Sequence, residues 1–227
     1  MDWNHIVSWE NLVRAFHRAA KSKRMRQNVA AFEWDFESRL RELQSSLQLG
    51  DYRPSPYHTF TIHESKRRVI SAAPFLDRIV HHALMQVIES RFERSFINHS
   101  YANRVGKGSH AALQQCERWI ARKRFVLTID LKEYFPSIDH EILKSLVFRK
   151  VDCERSRQLI SQVLASGEEV LREEYSMVWF VGDDLFAADR KRGLPNGNLT
   201  SQQWAKVYLY PFDHFVMREL RCRHYLR

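Results

Sequence analysis

The sequence predicts a mixed α+β (α/β) domain, weighted towards helix and carrying a small antiparallel sheet. Apolar residues recur at three- and four-residue spacing along much of the chain, the pattern of helices that bury one face. Two short β-branched runs, at 59–62 and 69–71, flank a polar tip as the arms of a hairpin do. A third apolar run, at 125–129, is too short for a buried helix and ends in charged residues, which predicts a strand.

Taken in order, residues 1–27 are basic and weakly patterned, and KSKRMR at 21–26 reads equally as a mobile arm or as a solvated helix end. Asn28 caps a helix carrying Val29, Phe32, Phe36, Leu40, Leu43 and Leu47 on one face, and Gly50 stops it. Turns and the hairpin follow, with the tip at 63–66 and three cations in or beside it. Helices are expected at 75–94, 109–123, 139–149 and 154–166, a strand pair around 176–187, and a long helix at 199–220. With 7 Gly and 6 Pro in 227 residues, and no internal repeat, there is no linker to divide the chain.

Composition narrows the function classes. Lys and Arg number 36 against 27 acids, a net charge of +9 that suits a polyanionic partner. Cys116, Cys153 and Cys222 are odd in number, far apart and without a CxxC pair, so neither a disulfide framework nor a zinc site is indicated. No apolar run approaches the ~20 residues that span a bilayer, and residues 1–23 lack a signal-peptide core. A cytoplasmic location and no membrane partner are expected.

Four blocks carry chemistry. KRRVISAAPFLDRIVHHAL at 66–84 couples a basic hairpin to a helix start, and SYANRVGKGSHAAL at 100–113 is a loop in which Gly106 and Gly108 allow close backbone approach. FVLTIDLKEYFPSIDHEIL at 125–143 sets Asp130 at a strand end with Phe135 five residues later; an isolated acid there is more often a cap or a solvated end. RGLPNGNLTSQQWAKVYLYPFDHF at 192–215 joins a tight loop to a helix with Leu199, Val207, Leu209 and Phe212 on its apolar faces. In this order the blocks resemble a bacterial reverse transcriptase of the retron, group II intron and diversity-generating retroelement type, from about residue 50 to the last residue.

The resemblance implies the fingers and partial palm of a right-hand polymerase: a basic, helical extension at 1–50, fingers at 51–124 and palm at 125–227, with a sheet that holds Asp130. It implies RNA-directed DNA polymerase activity on an RNA template with a DNA or RNA primer, using dNTP and two Mg²⁺ ions, with an accessory protein as a further partner. Arg68, with Lys66 as a second contact, would grip the triphosphate, since a guanidinium fork matches phosphate oxygens. Asp130 would bind both metals, aided by the Leu131 carbonyl, and Phe135 would be the steric gate against a ribose 2′-OH. Asn196 and Gly197 would lie at the nucleotide, and Arg104, Lys107 and Gln202 at the template and primer. Asp77 and Arg78 are expected as a helix-start ion pair, and His81 and His82 as packing or surface residues on different helix sides.

Two departures qualify the match. Asn196 stands where diversity-generating enzymes, whose TSQ ending this chain shares, carry a branched aliphatic residue and intron enzymes a Gln. The family's other metal-binding acids lie in a Tyr-x-Asp-Asp turn expected directly after RCRHYLR, so residues 1–227 by themselves are expected to be inactive and poorly soluble. FVGDD at 180–184 reads as a hairpin turn in which Asp183 and Asp184 are not ligands. A non-catalytic nucleic-acid-binding protein on the same scaffold, or one half of a split enzyme, is the alternative.

Overall fold

The computed structural model describes residues 2–63, 67–104, 106–168, 170–171, 176–179, 186 and 189–227, with the side chains of 67 and 68 outside that description. Four helices come first: α1 (Asp2–Ile6), α2 (Trp9–Ala20), α3 (Gln27–Trp34) and α4 (Phe36–Leu49). The hairpin β1 (His58–His63) and β2 (Arg67–Ala72) follows, then α5 (Phe75–Glu93) and α6 (Ser109–Ile120). The chain continues through α7 (Tyr134–Ser137), α8 (His140–Phe148), α9 (Glu154–Ala165) and α10 (Leu199–Arg218). A helix-rich α+β fold with a two-stranded antiparallel sheet is therefore what forms, and the hairpin pairs Thr59 with Ser71 and Ile62 with Arg68.

Helix α5 is the axis of the structure. Ile79, Val80, Ala83, Leu84, Met85 and Ile88 are all buried, so its apolar residues cover more than one face and neighbours must pack on several sides. Those neighbours are α1, α2 and α10, and α10 in turn rests on α8. Phe75 at the start of α5 meets the rings of Phe16 (5.9 Å) and Phe32 (5.3 Å) edge-on, which ties α2 and α3 to it. Buried Asn11 donates from Nδ2 to the carbonyls of Ile6 and Ala83, 3.0 Å each, bridging α1, α2 and α5.

Several elements differ from what the sequence led one to expect. Residues 9–20 form an amphipathic helix whose buried Leu12, Ala15, Phe16, Ala19 and Ala20 belong to the central core. The pattern is weak to the eye because half of the contact face is alanine. KSKRMR at 21–26 is a turn between α2 and α3. The helix expected from Asn28 is two, broken at Asp35 (φ −120°, ψ 45°), while Gly50 ends α4 in the left-handed region as expected (φ 84°). Residues 176–179 form no strand, and the FVGDD turn at 180–184, with Asp183 and Asp184, lies outside the described residues.

The strand expected at 125–129 does not form: the segment belongs to no helix or strand, is unpaired among the described residues and is exposed, with Phe125 90% and Leu127 83% accessible. A strand exists only beside a partner that takes its N–H and C=O groups, and the described sheet stops at the hairpin.

Asp77 and Arg78 do not pair. Buried Asp77 accepts from the Tyr52 hydroxyl (2.7 Å) and the Ser55 amide (3.0 Å), while Arg78 Nε donates to the Ala73 carbonyl (2.8 Å). Burial pushes the Asp77 carboxyl up, and these donors pull it back. His81 is fully enclosed, and burial, then His82 and Arg78, lower its pKa from 6.5 to about 3. The neutral form is the folded one, so the unfolded chain binds the extra proton below pH 6.5. Stability is therefore expected to fall as pH drops from 6.5 towards about 3. Urea unfolding across that window should show His81 contributing up to about 1.4 kcal/mol per pH unit, a component that His81→Leu removes.

Candidate functional site

Residues 191–198 form a strap that joins two distant parts of the chain. At one end the Leu194 amide donates to the Phe135 carbonyl and the Gly193 amide to the Ile138 carbonyl, both at 2.9 Å. The His140 amide donates to the Lys191 carbonyl at 2.9 Å, completing a short antiparallel contact centred on Asp139 and Arg192. At the other end the Ser71 amide donates to the Asn196 carbonyl (3.0 Å). The strap thereby brings the turn of Phe135, the Asn196–Gly197 turn and the end of β2 into one place.

Gly197 is there for space and conformation. Its φ of +99° is left-handed, and a Cβ would come within 2.9 Å of Ile70 Cγ2. Asn198, which the sequence reading passed over, is the fastener. Its Nδ2 donates to the carbonyls of Ser71 (2.7 Å) and Pro195 (3.1 Å), and its Oδ1 accepts from the Ala73 amide (3.0 Å). It is 2% exposed. A polar residue just before a helix looks like an ordinary cap, so its pattern carried no sign of this role; its side chain makes no capping bond to α10.

The other expected site residues fall out unevenly. Asp130 lies on the exposed 125–131 segment, and Phe135 is half-buried, its ring 5.7 Å from that of Tyr134. Gln202 is exposed on the first turn of α10. Lys66 lies outside the described residues, as does the side chain of Arg68, whose backbone pairs with Ile62. Among the described residues no group of three or more His, Cys, Asp or Glu side chains is placed to hold a metal. Asp130 and the Leu131 carbonyl, the donors expected for Mg²⁺, thus belong to no such group among the described residues.

Arg104 was expected to reach a template phosphate, but the fold uses it internally. Its side chain, 9% exposed, pairs with Glu93 and donates to the carbonyls of Ile97 (2.7 Å) and Ser100 (3.0 Å). Freeing it would break three bonds. Lys206, another residue missed in the sequence, is buried in α10 and donates to the Asn103 carbonyl at 2.8 Å; burial lowers its pKa while Glu89 and Glu93 oppose that. Both side chains brace the 100–104 loop from inside. Lys107 remains at the surface, on the Asn98 carbonyl and 5.1 Å from the Tyr101 ring centre.

A cationic cluster sits where the α2–α3 turn meets the start of α5. Burial, then Arg78 and Arg26, lower the Lys23 pKa, and burial, then Arg26, lower that of Arg78. Half-buried His82 is lowered to about 4 by burial and then by Arg18, Lys23 and Arg78. Among the described residues Lys23, Arg26 and Arg78 make no ion pair with an acid. Like charges on one stretch of surface favour an anion beside them.

No family model matches the chain. It is 26% identical over 217 residues to the group II intron-encoded protein LtrA of Lactococcus lactis subsp. cremoris, covering 94% of this chain and 33% of that protein. It is 26% identical over 184 residues to protein YkfC of Escherichia coli (strain K12), covering 78% of this chain and 45% of that one. An uncharacterized 91 kDa protein in the cob intron of Schizosaccharomyces pombe is 26% identical over 181 residues, covering 75% and 20%. The chain spans about a third of the length of the first of these relatives. Its similarity to intron-encoded proteins runs along most of its length and bears out the resemblance read from the four blocks.

Removing the fastener tests the strap. Asn198→Ala leaves the Ala73 amide and the Ser71 carbonyl without their side-chain partner, and should cost about 1–3 kcal/mol in urea unfolding. Hydrogen exchange should quicken at Ala73 while the amides of α2 keep their protection.

Proposed function

We propose that this chain carries the nucleotide-selecting and template-facing part of an RNA-directed DNA polymerase, a reverse transcriptase of the intron-encoded kind. What carries the reading is the strap: three sequence blocks that are far apart in the chain, each resembling a different nucleotide-contacting motif, meet at Leu194–Phe135 and Asn196–Ser71. Similarity to intron-associated proteins along most of the chain supports it.

In this reading the cations at the hairpin, Arg68 and Lys66, bind the triphosphate, and Phe135 lies beneath the sugar. Asn196 and Gly197 back the nascent base pair. Lys107 and Gln202 face template and primer, whereas Arg104 holds its loop in shape. Two Mg²⁺ ions would activate the primer 3′-OH and stabilise the leaving oxygen. Asp130 and the Leu131 carbonyl would supply part of their donor set. The exposed apolar stretch of Phe125, Val126, Leu127 and Ile129 suits a strand that gains neighbours from further palm sequence. The described helices include none long and apolar enough to cross a membrane, and we place the protein in the cytoplasm, acting on RNA and primer with or without an accessory protein.

A non-catalytic nucleic-acid-binding protein, or half of a split enzyme, is the competing reading, favoured by the incomplete acid set around Asp130. Primer extension on poly(rA)/oligo(dT) with Mg²⁺ separates them. The protein from the whole reading frame should extend the primer, and Asp130→Ala should abolish extension while leaving primer–template affinity unchanged. No extension by the unsubstituted protein would favour the binding protein.

The cationic cluster should act in either case. Replacing Lys23, Arg26 and Arg78 with Ala is expected to weaken primer–template binding and to lower the slope of log affinity against log salt by about two to three. An unchanged slope in a fluorescence-anisotropy titration would remove the cluster from the interface.

A further inference from the structure

His140 is fully buried at the start of α8; it lies within the 125–143 block, but no role has been given to it above. Its Nε2 lies 2.7 Å from the Gly193 carbonyl oxygen. A carbonyl only accepts, so Nε2 carries the proton and donates. The Gly193 amide is already held by the Ile138 carbonyl at 2.9 Å, so both polar groups of this residue are fastened to the chain that follows Phe135. The other ring nitrogen, Nδ1, makes no hydrogen bond among the described residues and lies 3.8 Å from Glu168 Oε1.

Glu168 is itself bound by Lys191, the first residue of the strap. Asp139, next to His140, caps α8 by accepting from the amides of Glu141 and Ile142, and lies 3.6 Å from Arg190. Burial lowers the imidazole pKa, the Gly193 carbonyl and Glu168 oppose this, and Lys144 adds to it. The ring is thus a neutral donor with one carbonyl to hold, at the point where the strap turns towards Asn196.

We propose that His140 is a positioning residue for nucleotide selection: by clamping the Gly193 carbonyl it fixes the strap against the Phe135 turn, and so sets the distance between the Asn196–Gly197 backing and the gate. This rests on the polymerase reading. His140 is too deeply enclosed to touch a substrate, and it acts only through Gly193. Gly193 has φ +103° and a Cβ there would lie 3.3 Å from the Leu171 Cβ, so this turn of the strap is one that glycine fits. The His140–Gly193 bond is the side-chain contribution to a clamp that the backbone bonds of Lys191, Gly193 and Leu194 share, and it sets how far the two walls stand apart together with them.

The variants are His140→Phe, which keeps a ring and loses the donor, and His140→Gln, which keeps a donor. In the protein from the whole reading frame, H140F is expected to raise the dNTP KM about tenfold with kcat changed less than about twofold, and to narrow dNTP over rNTP discrimination about tenfold. H140Q should restore both to within about threefold of the parent. On the 227-residue chain, H140F should speed hydrogen exchange at the Gly193 and Leu194 amides about tenfold without affecting α5.

A fall in kcat with unchanged KM and discrimination, or unchanged exchange at both amides, would overturn the role of His140. So would an H140F protein that does not fold if H140Q then behaves no better than His140→Ala. If the unsubstituted protein has no polymerase activity, the polymerase reading falls and takes the nucleotide role with it. An active parent with an indifferent H140F sinks only the role of His140.

Discussion

Residues 193–195 and 198 run through the interior without belonging to a helix or strand, and a loop shut off from water must find a partner for each peptide group it buries. The architecture around the site follows from how that demand is met. The amides of Gly193 and Leu194 turn to the carbonyls of Ile138 and Phe135, the Gly193 carbonyl to His140, and the Asn196 carbonyl to the Ser71 amide. Asn198 closes the circuit, because an amide side chain is both donor and acceptor and can mimic a strand neighbour for the end of β2. Ala73 is held from two sides, its amide by Asn198 and its carbonyl by Arg78. The hairpin, the start of α5, the Phe135 turn and the start of α10 are one bonded unit for this reason.

That unit stands on α5, whose burial on several faces has a cost in charge. His81 is kept neutral in the core. At the other edge of the helix start, Arg78 spends one nitrogen on Ala73 and turns the rest of its charge towards Lys23 and Arg26. Such a concentration of like charge weakens the isolated fold slightly, and a bound polyanion would relieve it. Structural bracing and the cluster's positive charge share the same arginine. The 100–104 loop is the contrasting case: Arg104 and Lys206 are both turned inward, so its cations serve the loop's shape and leave Lys107 to face outward.

The segment at 125–131 is the opposite of the strap. It has the composition of a strand, yet its apolar side chains face solvent. The strap satisfies its backbone with side chains and neighbouring turns because those lie within the same folded unit. The 125–131 segment has no such neighbours among the described residues, and local sequence cannot supply them. Asp130 takes its exposure from that fact rather than from any property of its own.

Much of the fold was legible in the sequence because helices and hairpins depend on near neighbours. The periodicity that marks α5, α8, α9 and α10, the left-handed glycine ending α4 and the paired runs of the hairpin are all local, and they place the elements within a few residues. The proximity of Phe135, Asn196 and Gly197 was legible only through resemblance, since no local pattern reports a contact between residues some sixty apart in the chain. What the tertiary structure alone decided was the use of each polar group. Asn198, His140 and Lys206 lie inside the blocks yet nothing in those blocks marks their roles, Arg104 looks like a surface cation, and residues 9–20 look like a basic tail. Their roles come from burial, which makes an unpaired donor or acceptor costly and so commits each side chain to whichever distant partner the packing brings within reach.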